Sequence, residues 1–235
     1  MKLLLFDVDQ TLISTGGAGI RALNRAFQKL YAVENAMDGI LPHGKTDPGI
    51  IREILHSHPV PSFTDGSDGF PTLMTAILDS YLAFLDNEIG STTSYKILPG
   101  IEGILHSLSG RSDVALGLAT GNVEAGARIK LERGNLNRYF PFGGFGSDSE
   151  NRTELVRQGA ERAVAYTGQR PAADNVFVIG DTPRDIIAGR EAGFLTVGVA
   201  TGKYSMAELK ESGATVVISD FEQERDQFLR TTRIE

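Results

Sequence analysis

Short apolar runs separated by helical patterns most constrain what this chain can fold into. The runs cover residues 3–6, 114–118, 176–179, 196–199 and 216–218, and the later ones are rich in β-branched side chains. Each is too continuously apolar to have a wet face, as expected of strands covered on both sides. Helical spacing fills the gaps, over roughly 100–109, 123–134, 151–167, 183–192 and 206–212. Strand–helix alternation of this kind predicts an α/β fold, a parallel sheet with helices on both faces joined by right-handed crossovers.

Residues 15–94 break the alternation and read as all helix. Ile20, Leu23, Phe27 and Leu30 recur at three- and four-residue spacing. So do Met74, Ile77, Tyr81 and Leu85, with Leu78 and Leu82 widening the stripe. A shorter helix is expected at 48–56, then a Gly/Pro/Ser/Asp-rich loop at 59–71. Gly/Ser-rich joints at 14–19 and 90–94 flank the block and read as flexible linkers. Residues 1–14 and 95–235 are therefore expected to form a core, and 15–94 a helical insert hinged at two points.

Composition narrows the function classes. A net charge of −7 and a pI near 5.2 argue against nucleic-acid or anionic-membrane partners. No apolar run is long enough to span a bilayer. The opening residues superficially resemble a signal peptide, but the run stops at Asp7 with no small-residue cleavage site, so it reads as a strand. The absence of cysteine excludes disulfides, thiol nucleophiles and thiolate metal sites, and fits a cytoplasmic location. His43, His56, His58 and His106 have no zinc-binding spacing. Residues 223–235 are expected to form a helix and a loose tail.

Chemistry gathers where the strands end. Asp7 and Asp9 follow the first run at i and i+2, so both carboxylates can face one small site. Two adjacent anions favour a bound divalent cation or one raised pKa. Thr120-Gly121-Asn122 follows the second run. A hydroxyl, close backbone approach and a helix N-terminus suit an anion there, although Asn122 also reads as a plain helix cap. After the third run, Thr182, Pro183 and Asp185 read as a helix start, whereas Asp181 has no such structural role and suits a hard cation. Arg152 opens a helix, where a cation opposes the macrodipole unless an anion lies nearby.

In this order, each after a strand, these elements resemble the haloacid dehalogenase superfamily over essentially the whole chain. Asp7-Val-Asp9-Gln-Thr-Leu looks like its nucleophile motif, and Thr120-Gly121-Asn122 like its second. Arg152 looks like the basic third, Asp181 and Asp185 the acidic fourth, and the helical insert a C1-type cap. The nearest likeness is to phosphoglycolate-phosphatase-like and β-phosphoglucomutase-like members. Two departures stand out. Gln10 replaces the usual glycine, and the third motif is Arg152 rather than lysine, Lys130 lying inside a helix.

The resemblance implies a Rossmann-like core and a Mg²⁺-dependent phosphatase acting on a small phosphorylated metabolite through an aspartyl phosphate. It makes Asp7 the nucleophile and Asp9 the acid/base, and has Thr120, Gly121, Asn122 and Arg152 bind phosphate. The metal would be held by Asp7, the Asp9 backbone carbonyl and Asp181, with Asp185 close by. Lys45, in a glycine-containing loop of the insert, would either meet a second anionic group on the substrate or sit in solvent. Other readings are a phosphosugar mutase, a phosphonate hydrolase or a non-catalytic phospho-ligand-binding module. Mutase-like members carry a histidine where this chain has Gly19, phosphonate hydrolases typically replace the second aspartate, and a pure binder needs no nucleophile. Neither the identity of the substrate nor the oligomeric state follows from the sequence.

Overall fold

The computed structural model describes residues 1–58, 60, 64 and 66–234. β1 (Lys2–Phe6) leads through β2 (Ile13–Ser14) into three helices, α1 (Ala18–Tyr31), α2 (Asp47–Ser57) and α3 (Phe70–Ser91). The chain returns through β3 (Lys96–Ile97), α4 (Ile101–Ser109), β4 (Val114–Thr120), α5 (Glu124–Glu132), β5 (Gly143–Phe145) and α6 (Arg152–Thr167). It ends with β6 (Val176–Gly180), α7 (Pro183–Glu191), β7 (Leu195–Val199), α8 (Met206–Glu211), β8 (Val216–Ile218) and α9 (Arg225–Thr232). The main sheet is parallel with strand order β5-β4-β1-β6-β7-β8. β1 thus sits where the order changes direction, and its carboxyl end opens into the crevice where such sheets bind ligands.

Strand alternation builds both faces. Leu4 and Phe6 enter one core with Ile104 and Leu105 of α4 and Leu131 of α5. Leu3 and Leu5 enter the other with Leu155, Val156 and Ala163 of α6. The expected α/β architecture is present. β5 escapes a sequence reading because two glycines in three residues leave no apolar run.

The helices α1–α3 pack a hydrophobic cluster of their own, with Leu23, Phe27, Ile51, Ile54, Ile77, Tyr81 and Leu85. The stripe expected on α1 is corrected: Ile20 and Leu30 are exposed, and the buried face is Ala18, Ala22, Leu23, Ala26 and Phe27. Alanines let α1 lie close to its neighbour, so small residues carry contact that a search for large ones overlooks. The joints are also not loose. β2 and β3 pair antiparallel (Ile13 with Ile97, Ser14 with Lys96), and Gly90 and Ser91 belong to the last turn of α3. The Arg133 guanidinium donates to the carbonyls of Ile89 and Thr92. Of the predicted 59–71 loop, positions 59, 61–63 and 65 lie outside the described residues. The expected loose tail is corrected too, since Thr232 and Ile234 are buried, Ile234 in the core with Phe221 and Phe228. Among the described residues, no helix is long and apolar enough to cross a membrane.

Candidate active site

The carboxyl ends of β1, β4 and β6 converge on one cavity of about 250 Å³. Asp7, buried at the end of β1, anchors its backbone N–H on the Ile179 carbonyl at 2.8 Å. Its carboxylate lies 3.1 Å from Arg152 Nη2. Burial raises the Asp7 carboxyl to about 7, with Asp185 and Asp9 adding to the rise while Arg152 and a hydrogen bond from Thr120 oppose it. Asp9 lines the same cavity with different partners: its Oδ2 accepts from Lys130 Nζ at 2.6 Å and Asn122 Nδ2 at 2.9 Å. Asn122 also donates to Thr120 Oγ1 at 2.8 Å. It is not the helix cap, because α5 begins after Val123.

Asp181 and Asp185 sit behind Asp7, and carboxylate oxygens of all three lie within 4.8 Å of one another. Asp185 has both oxygens committed. Oδ1 accepts from Arg152 Nε at 2.8 Å and from Nη2, while Oδ2 takes the Thr182 N–H at 3.0 Å and hydroxyl at 2.7 Å. The Thr182–Asp185 capping box therefore exists as expected, with Pro183 in the first turn. Asp181 differs. Among the described residues it has no ion pair, and its one side-chain donor is Thr11 Oγ1 at a long 3.4 Å. Burial and the charges of Asp185 and Asp7 push its carboxyl up to about 9. A buried, poorly partnered carboxylate beside two others fits a hard divalent cation, which would let all three stay ionised. Arg152 is explained by the same cluster: the anions offsetting its place in the first turn of α6 are Asp7 and Asp185.

Two residues of the site were not expected. Lys130 is almost fully buried, bonding Asp9 and, at 2.5 Å, Asn122 Oδ1. Burial alone would lower its pKa, but Asp9 and Asp47 outweigh that and hold the ammonium above its ordinary value. Its position was the available signal, since Ala127 and Leu131 mark that face of α5 as buried, where an unpaired lysine is costly. Asp47, the other, opens α2 and accepts the Val123 N–H at 2.9 Å. Burial raises it to about 6.

Asp47 belongs to a docked loop. Its own N–H donates to the Gly121 carbonyl at 2.8 Å, and Arg152 Nη1 donates to the Gly44 carbonyl at 3.2 Å. A side chain at Gly121 would strike the Lys45 carbonyl, so glycine is what allows this approach. Lys45 lines the cavity, but its ammonium is paired with Glu53 of α2. The residues given a chemical role in the sequence analysis thus lie in or beside one cavity, with Asp185 held by Arg152 and Thr182 and Lys45 by Glu53.

The fold and site define a class: an α/β enzyme with paired acids beyond its central strand and a helical insert whose loop docks on the site. The chain belongs to the haloacid dehalogenase-like hydrolase family, whose sequence profile matches residues 4–199. It is 24% identical over 228 residues to "Probable phosphatase IndB" of Dickeya dadantii, covering 94% of this chain and 90% of that protein. It is 30% identical over 107 residues to a phosphoglycolate phosphatase of Synechococcus elongatus, covering 46% and 47%. Among solved structures, CbbY from Rhodobacter sphaeroides, crystallised with phosphate, shares the fold with a TM-score of 0.71 at 17% identity, covering 95% of this chain and 96% of that one.

Proposed function

We propose that the protein is a Mg²⁺-dependent phosphatase that hydrolyses a small phosphomonoester through an aspartyl phosphate. The observation that carries this reading is the division of labour between two acids in one cavity, Asp7 beside Arg152 and the acidic pair, Asp9 held by Lys130 and Asn122. A relative named as a phosphatase supports it over nearly the full chain.

Asp7 attacks phosphorus, and the bond to the leaving alkoxide breaks as Asp9 gives that oxygen a proton. Asp9 then takes a proton from water. The water oxygen attacks phosphorus, the bond to Asp7 breaks, and inorganic phosphate and the free carboxylate result. Arg152, Thr120 and the backbone around Gly121 and Asn122 bind the phosphoryl oxygens. Lys130 and Asn122 keep the Asp9 carboxylate aimed at the leaving oxygen, as positioning residues. Asp7, Asp181 and the Asp9 carbonyl would hold Mg²⁺, with Asp185 supporting from behind because both its oxygens are occupied. When bound, the cation would offset the repulsion between nucleophile and phosphate. The helical insert, residues 15–94, acts as a cap. Gly19 supports hydrolysis over mutase chemistry, because it lines the cavity where mutase-like members carry a histidine and brings no imidazole to it.

The test is phosphate release by wild type and Asp7→Asn, each with Mg²⁺ and with EDTA. The expected result is turnover by wild type with Mg²⁺ alone. Activity retained by folded Asp7→Asn would refute the covalent mechanism.

A further inference from the structure

We propose that the alcohol released by this enzyme is compact, uncharged and largely apolar, an aromatic or branched aliphatic alcohol rather than a carboxylate-bearing or polyhydroxylated one. The inference rests on the phosphatase reading and adds the substrate class. Away from the acids, the apolar part of the cavity wall is formed by Leu23, Met37, Pro42, Ile50 and the Tyr81 ring, with Ile20 near the surface, while Gln10, Thr15 and His43 are polar groups of the same lining. The apolar groups offer dispersion contact to a hydrocarbon, whereas a row of hydroxyls laid along them would lose hydration that these side chains do not replace. At about 250 Å³ the whole cavity is smaller than the roughly 300–1,000 Å³ usual for drug-sized ligands, and the phosphoryl group takes part of it.

Charge points the same way. Three permanent cations line the cavity, and all have protein partners: Arg152 with Asp7 and Asp185, Lys130 with Asp9, and Lys45 with Glu53. His43 is held below its usual pKa by burial and by Lys203, which is exposed and outside the lining. A second anionic group on the substrate would meet no unengaged cation among the described residues of this wall, and would face Asp47.

The experiment compares kcat/KM for four esters of unactivated primary alcohols with Mg²⁺: benzyl phosphate, isobutyl phosphate, phosphoglycolate and ribose 5-phosphate. Benzyl or isobutyl phosphate is expected to lead the charged and sugar esters by about tenfold or more. Met37→Gln, which keeps length while adding polarity to the wall, is expected to shrink the benzyl-over-ribose ratio at least about threefold, mainly through KM. If that variant does not fold, Ile50→Val tests the same wall by removing one methyl group, and should raise KM for benzyl phosphate severalfold. Glu53→Gln, by freeing Lys45, should improve phosphoglycolate relative to benzyl phosphate. Preference for phosphoglycolate or ribose 5-phosphate, or a ratio unmoved by a folded wall variant, overturns the inference while the phosphatase reading stands. No release from any of the four overturns both.

Discussion

Gln10 adopts a left-handed backbone, φ 59°, at the position where the family resemblance leads to the expectation of glycine. Its carbonyl accepts from Thr201 Oγ1 at 2.5 Å and its side chain donates to Ser14 Oγ at 3.2 Å, contacts that help hold the strained turn. Gln10→Val should lower stability by about 1–2 kcal/mol, since a β-branched side chain tolerates this region least, while Gln10→Gly should be nearly neutral. Denaturant melts of the two variants would decide it. Lys130 supports a second prediction. Lys130→Met should cut kcat by about tenfold or more with KM little changed, because Asp9 loses the partner that aims it but phosphate keeps Arg152. A change confined to KM would place Lys130 in substrate binding instead. At this scale Asp181 stood out because it lacked a local explanation, whereas Asp7, Asp9 and Arg152 also suited a solvated turn or helix start and were singled out by the ordered set of motifs. Lys130 and Asp47 were not, because their roles depend on chain segments more than 70 residues away.

Among elements, the strands that carry the site start and stop close to where their apolar runs do, and the start of α7 follows from Thr182 and Pro183 alone. The ribbon of β2 and β3 left no trace, because two-residue strands have no periodicity to detect. The 43–47 loop was expected near the site only through the family resemblance, and its docking on Gly121 was not legible in the residues themselves. It depends on Gly44, at φ 68°, whose added Cβ would come within 2.6 Å of Thr182 Oγ1 and 2.9 Å of Arg184 Cδ. Gly44→Ala should therefore hold the loop off Gly121, lowering kcat/KM by about tenfold or more while the sheet core melts nearly as before. Steady-state kinetics beside a thermal melt would separate the two effects. A variant with full activity would mean that the docked loop is not needed for turnover.

For the whole molecule, the buried end of the chain is structural. Phe228 packs edge-on against Phe221, ring centroids 5.0 Å apart, and Phe228→Ala should cost about 3–5 kcal/mol. An unchanged denaturation midpoint would contradict this packing role. Acidity acts on the buried carboxylates at the end of the sheet. Asp7 and Asp181 rise from 3.8 to about 7 and about 9 on folding. An acid raised in the folded state binds more protons there than in the unfolded chain. The metal-free protein should therefore lose stability as pH climbs from about 4 through 9, each kcal/mol lost costing about 2–4 °C in Tm. Saturating Mg²⁺ should flatten that slope, and melts in EDTA that rise over the range would contradict it. The pairing of all three cavity cations has a consequence for encounter as well. With no unengaged cation among the described residues of the lining to draw in an anionic ester, approach is governed by the field of a chain carrying net −7. Added salt, which shortens the reach of that field to about 8 Å near 0.15 M, should quicken capture, so kcat/KM should climb with ionic strength where an electrostatically steered enzyme would slow.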